Sequence, residues 1–158
     1  EYEDYLKNKK EYSGVRVDKN KGVVKLEEIE GRCVDLKLKI RAADIENPYY
    51  KFILYFAKSG NTYTSLSFRP YEGILKIDRK FSGSRRAILH QRRMHVPESK
   101  SGEINLHLVL DRYSCEIFIG EGERTMTAAI YTEPEAAEIA FKCEGDAVLD
   151  IVKHDVIL

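Results

Sequence analysis

Residues 110–131 read LDRYSCEIFIGEGERTMTAAIY. The stretch closes an alternating apolar run at Leu110, turns at Asp111, Arg112 and Tyr113, and alternates again through Cys115, Ile117 and Ile119. Gly120-Glu121-Gly122 supplies a second turn, because residues without a Cβ admit the positive φ of tight hairpins. An apolar return then runs from Met126 to Tyr131. Successive side chains of a strand point to opposite faces, so the stretch reads as a two-turn β-meander with a buried face and a wet one.

The same period extends in both directions. Ile104, Leu106, Leu108 and Leu110 alternate with polar or smaller neighbours, which turns His107 away from the core. Val34, Leu36, Leu38 and Ile40 alternate with Asp35, Lys37, Lys39 and Arg41, the pattern of a half-buried strand. KFILYFA at 51–57 is nearly all apolar, as a strand covered on both faces would be, and Ser59-Gly60-Asn61 turns it back into 63–68. Further strands are predicted at 74–78 and around the turn 18–22. Residues 138–143 and 147–152 are predicted to pair as a hairpin about Glu144-Gly145-Asp146. Residues 87–96 are ambiguous and basic. Tyr2, Tyr5 and Leu6 stand at helical spacing among charges, so 2–12 reads as a short amphipathic turn or linker. About a dozen short strands without a long helical period predict an all-β, antiparallel two-sheet sandwich.

Composition bounds the function. With 158 residues and 43% apolar content the chain fits one domain with its own core. Lysine plus arginine and aspartate plus glutamate balance at 26 each, so net charge supports neither nucleic acid nor a membrane surface as partner. Apolar runs last only a few residues, short of the roughly 20 that span a bilayer. Cys33, Cys115 and Cys143 lack CxxC spacing and read as small core hydrophobes, which tips the compartment toward a reducing, cytoplasmic one over secretion. Glu1-Tyr2-Glu3-Asp4 has neither an initiator Met nor the basic and apolar regions of a signal peptide, and reads as the start of an excised piece.

Two segments carry a family resemblance. ILKIDRKFSG ends a strand in Asp78-Arg79-Lys80-Phe81-Ser82-Gly83, and LVLDRYSCEIF later supplies Asp111-Arg112-x-x-x-Glu116-x-Phe118. In this order and β context they resemble the C-terminal β-sandwich domain of glycoside hydrolase family 32, the invertases, inulinases and levanases, where the first motif reads Asp-Arg-Ser-x-Ser-Gly. Lys80 departs from that pattern. The resemblance implies a concanavalin- or jelly-roll-like sandwich over 13–158, preceded by a linker at 1–12 from a catalytic domain. It implies a non-catalytic accessory role, packing against and stabilising a five-bladed β-propeller of the same polypeptide. The parent enzyme would cleave sucrose, sucrose phosphate or fructans with retention and without a cofactor, and could oligomerise. Asp78, Arg79, Ser82, Gly83, Asp111, Arg112, Glu116 and Phe118 are then family-motif or domain-interface candidates.

Retaining glycosidases need two opposed carboxyls about 5 Å apart. The family's Asn-Asp-Pro-Asn-Gly-like, Arg-Asp-Pro and Glu-Cys strings, which supply them from the propeller, do not occur here. Asp78 and Asp111, each beside an arginine at a strand end, read as turn-fixing anions rather than as a catalytic pair. No Gly-x-Ser-x-Gly elbow occurs, and His90 and His95, five apart, face opposite ways on a strand, so neither nucleophilic nor metal chemistry is predicted. Arg79, Lys80, Arg85, Arg86, Arg92 and Arg93 form one basic cluster, read as a solvated or docked face rather than a nucleic-acid site. The alternative reading is an independent carbohydrate-binding or lectin-like sandwich using Tyr49, Tyr50, Tyr55, Tyr63 and Tyr71, although tryptophan is absent.

Overall fold

The computed structural model of the chain describes residues 1–83 and 91–157. Arg85, Arg86 and His90 therefore lie outside the described residues. Eleven strands are present among those described: β1 (Leu6–Asp18), β2 (Val34–Ala42), β3 (Lys51–Ser59), β4 (Thr62–Arg69), β5 (Ile74–Asp78), β6 (Gln91–His95), β7 (Ile104–Leu110), β8 (Ser114–Ile119), β9 (Arg124–Ala129), β10 (Glu138–Glu144) and β11 (Asp146–Val156). Single 3₁₀ turns occupy Tyr2–Tyr5 and Pro97–Ser99, and no α-helix forms among the described residues. All pairings are antiparallel, in a six-stranded sheet ordered β1-β11-β2-β7-β8-β9 and a five-stranded sheet ordered β10-β3-β4-β5-β6. The all-β sandwich expected from the alternation is what forms, and the meander of 110–131 is its β7-β8-β9 edge.

The core lies between the sheets. Val34, Leu36, Leu38 and Ile40 of β2 and Ile104, Leu106, Leu108 and Leu110 of β7 face Phe52, Leu54 and Phe56 of β3 and Leu75 and Ile77 of β5, all buried. Covering both inner faces removes these side chains from water at roughly 1.5–3 kcal/mol each, the largest contribution to holding the sheets together. Cys115 and Cys143 are buried in this core, with burial pushing each thiol up to about 12. Cys33 is only partly buried, just ahead of β2, so it is not the core residue that its neighbours suggested.

Two expectations are corrected. Residues 138–143 and 147–152 do not pair with each other: β10 pairs with β3 and β11 with β1 and β2, so the chain changes sheets at Gly145. A short Gly turn between alternating segments looks the same in sequence whether it closes a hairpin or crosses the sandwich. The second correction concerns 2–12. Tyr2–Tyr5 form the 3₁₀ turn, but Leu6 onward is already strand, paired with β11 from Leu6↔Val156 to Asp18↔Asp146. The helical spacing of Tyr2, Tyr5 and Leu6 belongs to the 3₁₀ turn, and beyond it the ladder is interrupted twice, with Asn8 at φ 55° and Gly14 at φ 67° beside the register shifts.

Candidate functional site

The two motif segments form turns of similar chemistry. Asp78 Oδ1 accepts the Lys80 amide at 2.8 Å and its Oδ2 the Gln91 side-chain amide at 3.2 Å. Arg79 is buried with its guanidinium 5.2 Å over the Tyr131 ring and donates to the Tyr131 hydroxyl at 3.2 Å. Ser82, also buried, donates from its hydroxyl to the Arg79 carbonyl at 2.7 Å, and Gly83 exits at φ 91°. At the second turn, Asp111 Oδ1 accepts the amides of Tyr113 and Ser114, both at 2.8 Å, and Oδ2 accepts the Ser114 hydroxyl at 3.0 Å. Burial would raise the Asp111 carboxyl, but these donors and the nearby Arg32 outweigh it and hold it below the usual carboxylate range. A group tuned this way is a fixed anion and not a proton donor near neutral pH.

Arg112 contributes its carbonyl rather than its side chain. That carbonyl accepts Arg32 at 2.6 Å, and Arg32 also donates to the carbonyls of Glu133, Thr132 and Ala136. This buried guanidinium ties the turn after β7 to the loop between β9 and β10. It was missed in the sequence, where Gly31-Arg32 looks like loop punctuation. The one available signal was an arginine placed two residues ahead of a strand with no acid beside it.

Glu116 and Phe118 sit elsewhere, on the outer face of the six-stranded sheet. Register aligns Val152, Lys37, His107, Phe118 and Thr125 in one cross-strand row, and Asp35, Val109 and Glu116 in the next. A groove of about 720 Å³ runs over this face, and its lining includes Tyr2, Phe118 and the turn Gly120-Glu121-Gly122. The His107 and Phe118 rings pack with centroids 5.6 Å apart. Asp35 lies beneath, 1% exposed although it belongs to the outer face. Its Oδ2 accepts the Tyr2 hydroxyl at 2.8 Å and His107 Nε2–H at 2.7 Å. Burial would raise the Asp35 carboxyl, but hydrogen bonds from His107 and Tyr2 prevail and hold it below the usual range. The stability this contributes is therefore present above the ordinary carboxylate range and lost as pH falls through the lowered value.

The expected aromatic set is dispersed. Tyr49 is buried with its hydroxyl donating to the Gly102 carbonyl at 2.7 Å. Tyr55 and Tyr63 pack edge-to-face on the outer side of the other sheet, and Tyr63 also meets Phe81. Tyr50 and Tyr71 are exposed beside a separate recess of about 480 Å³. The basic cluster is dispersed as well. Arg79 is turned inward, and Arg92 donates across the gap between the sheets to the Thr127 carbonyl at 2.6 Å. Among the described residues no group of three or more His, Cys, Asp or Glu side chains is placed to hold a metal ion.

The fold and its two motif turns define an all-β sandwich module. Residues 1–156 match the family described as glycosyl hydrolases family 32 C terminal. The chain belongs to that family. It is similar to the sucrose-6-phosphate hydrolase of Staphylococcus xylosus, 30% identical over 142 residues that make up 87% of this chain and 27% of that protein. Among solved structures, fructan 1-exohydrolase IIa from Cichorium intybus superposes with a TM-score of 0.78 at 15% identity, over 99% of this chain and 36% of that one. The sucrose-6-phosphate hydrolase from Lactobacillus gasseri gives 0.74 at 18% identity, over 99% and 30%. The exo-inulinase from Aspergillus awamori gives 0.76 at 15% identity, over 98% and 31%. The chain thus spans roughly a third or less of the enzymes it resembles, and at these identities the structural matches speak for the fold.

Proposed function

We propose that this sandwich is the non-catalytic C-terminal domain of a β-fructofuranosidase. In this reading it packs against the catalytic domain that precedes it and stabilises that domain, and the parent enzyme cleaves sucrose, sucrose phosphate or fructans. One observation carries the reading: the family match runs from residue 1 to 156, while the chain spans only 27% of the sucrose-6-phosphate hydrolase it resembles. The chemistry of the chain agrees. The motif acids Asp78 and Asp111 are committed to backbone amides, and the Asp111 carboxyl is held low, the reverse of what a glycosidic acid needs. In the proposed assembly the motif turns keep the sandwich in shape.

The test is an activity assay in two arms. The purified chain, given sucrose, inulin and levan between about pH 4 and 8, should release no fructose above buffer. The polypeptide that includes the preceding domain should release it, and the melting temperature of that domain should fall when this chain is deleted. Fructose release by the chain alone, lost in Asp78→Asn or Asp111→Asn, would overturn the accessory reading.

A further inference from the structure

The outer groove of the six-stranded sheet has the features of a ligand site rather than of a plain solvated face. Along β2 the outer positions beyond Asp35 are the long, charged Lys37, Lys39 and Arg41, as a wet face requires. At its centre, however, a carboxylate is buried against the outer surface, with Oδ1 of Asp35 lacking a partner among the described residues. Burying an anion is costly, and a network left partly unsatisfied is costlier than an apolar patch. What the arrangement achieves is orientation. A single carboxylate oxygen fixes both the Tyr2 ring, which reaches over from the 3₁₀ turn, and the His107 ring, which in turn packs on Phe118. Aromatic rings are thereby held in place in the lining of one groove, and Tyr2 stays 42% exposed.

We propose that this groove binds a neutral oligosaccharide of two or three rings. The size suits it, since small-molecule pockets run from about 300 to 1,000 Å³ and this one holds about 720 Å³. A sugar ring presents C–H groups on its faces, which pack on aromatic rings, and hydroxyls on its edge, which need donors and acceptors together. The groove offers both. Its rings are Tyr2, His107 and Phe118, and its edge carries the Asn105 amide, which donates and accepts. Both signs line the rim, Lys37 and Lys39 with Glu116, Glu121 and Asp150, the last already paired with Arg41, so no field of one sign selects an anionic or a cationic ligand. The proposal goes beyond the accessory-domain reading, because it requires no particular sugar and no catalytic partner.

Chemical-shift titration of the ¹⁵N-labelled chain with 1-kestose and, separately, maltotriose tests it. Saturable shifts are expected at the amides of His107, Phe118 and Glu121 with at least one of the two sugars, and shifts at the turn of Tyr50 and Tyr71 are not. Phe118→Ala should weaken binding by up to about tenfold through loss of one aromatic contact. Tyr2→Phe, which keeps the ring and removes its hydrogen bond to Asp35, should weaken binding several-fold while circular dichroism and the melting curve stay those of a folded sandwich. No saturable shift with either sugar, shifts confined to another surface, or binding untouched by both substitutions would overturn the proposal. A groove closed to sugar in the longer polypeptide but open in the isolated chain would also overturn it, by making this face a domain contact. None of these outcomes bears on fructose release, so the two readings fail separately.

Discussion

Arg32 shows how much of this fold depends on a single polar side chain. It is 7% exposed, and its guanidinium donates to four carbonyls that belong to two different loops. Two of these bonds, to the Ala136 and Thr132 carbonyls, are buried, and losing the donor there costs about 1–3 kcal/mol each. Arg32→Ala is expected to lower the unfolding free energy by about 3 kcal/mol, read as a reduced urea midpoint with an unchanged slope. Arg32→Lys should recover little, because one ammonium cannot span the fork of acceptors that a planar guanidinium reaches. A midpoint within error of the parent in both variants would show that the loops hold themselves. Nothing in the local sequence announces this role, since its partners lie 80 to 104 positions away. The roles of Asp78 and Asp111 were legible because an Asx turn is local chemistry: the acceptor and its donor amides are two or three residues apart. The exposed row of Asp35, Lys37, Lys39 and Arg41 was legible too, but not that Asp35 would be covered by Tyr2 from 33 positions upstream.

At the scale of elements, alternation located the inward faces of β2, β7 and β8 residue for residue, because a period of two has one answer when one face is wet. It could not tell which sheet a strand joins. The junction of β10 and β11 is where that ambiguity mattered. Gly145 sits there at φ 136°, and a Cβ added to it would lie 2.7 Å from Tyr49 Cα and 2.8 Å from Tyr49 Cβ. The glycine thus does two things at once: it takes a backbone conformation closed to L side chains, and it lets the crossing chain press against the Tyr49 backbone. A hairpin glycine would need only the first. Gly145→Ala is therefore expected to cost about 2–4 kcal/mol, well beyond the loss at an open turn such as Gly22, where nothing lies within 4 Å of the added atom. Comparing the melting temperatures of Gly145→Ala and Gly22→Ala checks this, and equal losses would remove close packing as the cause.

The molecule as a whole is closed by its ends. β1, the first strand, pairs with β11, the last, and β11 pairs in turn with β2, so the six-stranded sheet is complete only when both termini are in place. Contacts of such large sequence separation must be bought with loop-closure entropy before they return anything, which makes sandwiches of this kind slow folders, in the range of about milliseconds to seconds. It also makes the first residues structural. Five of the nine register pairs between β1 and β11 involve residues 6–12, from Leu6↔Val156 to Tyr12↔Ile151. Tyr12 packs against the core and donates its hydroxyl to the Glu27 carbonyl at 2.9 Å. Tyr2, further out, is one of the two donors to Oδ2 of buried Asp35. Removing 1–12 would uncover an edge along β11, strip Tyr12 from the core and leave Asp35 with His107 alone. A detachable connector would behave differently, since its loss costs a folded domain nothing. Deletion of 1–12 is accordingly expected to lower the melting temperature by about 10 °C or more, with the losses of ladder, packing and hydrogen bond adding to several kcal/mol. It should also speed exchange of the β11 amides that face β1 while leaving those of β3 and β4 protected, because the second sheet keeps all its pairings. A truncated chain that melts with the parent would show that the first twelve residues are a connector whose pairing with β11 contributes nothing to the stability of the sandwich.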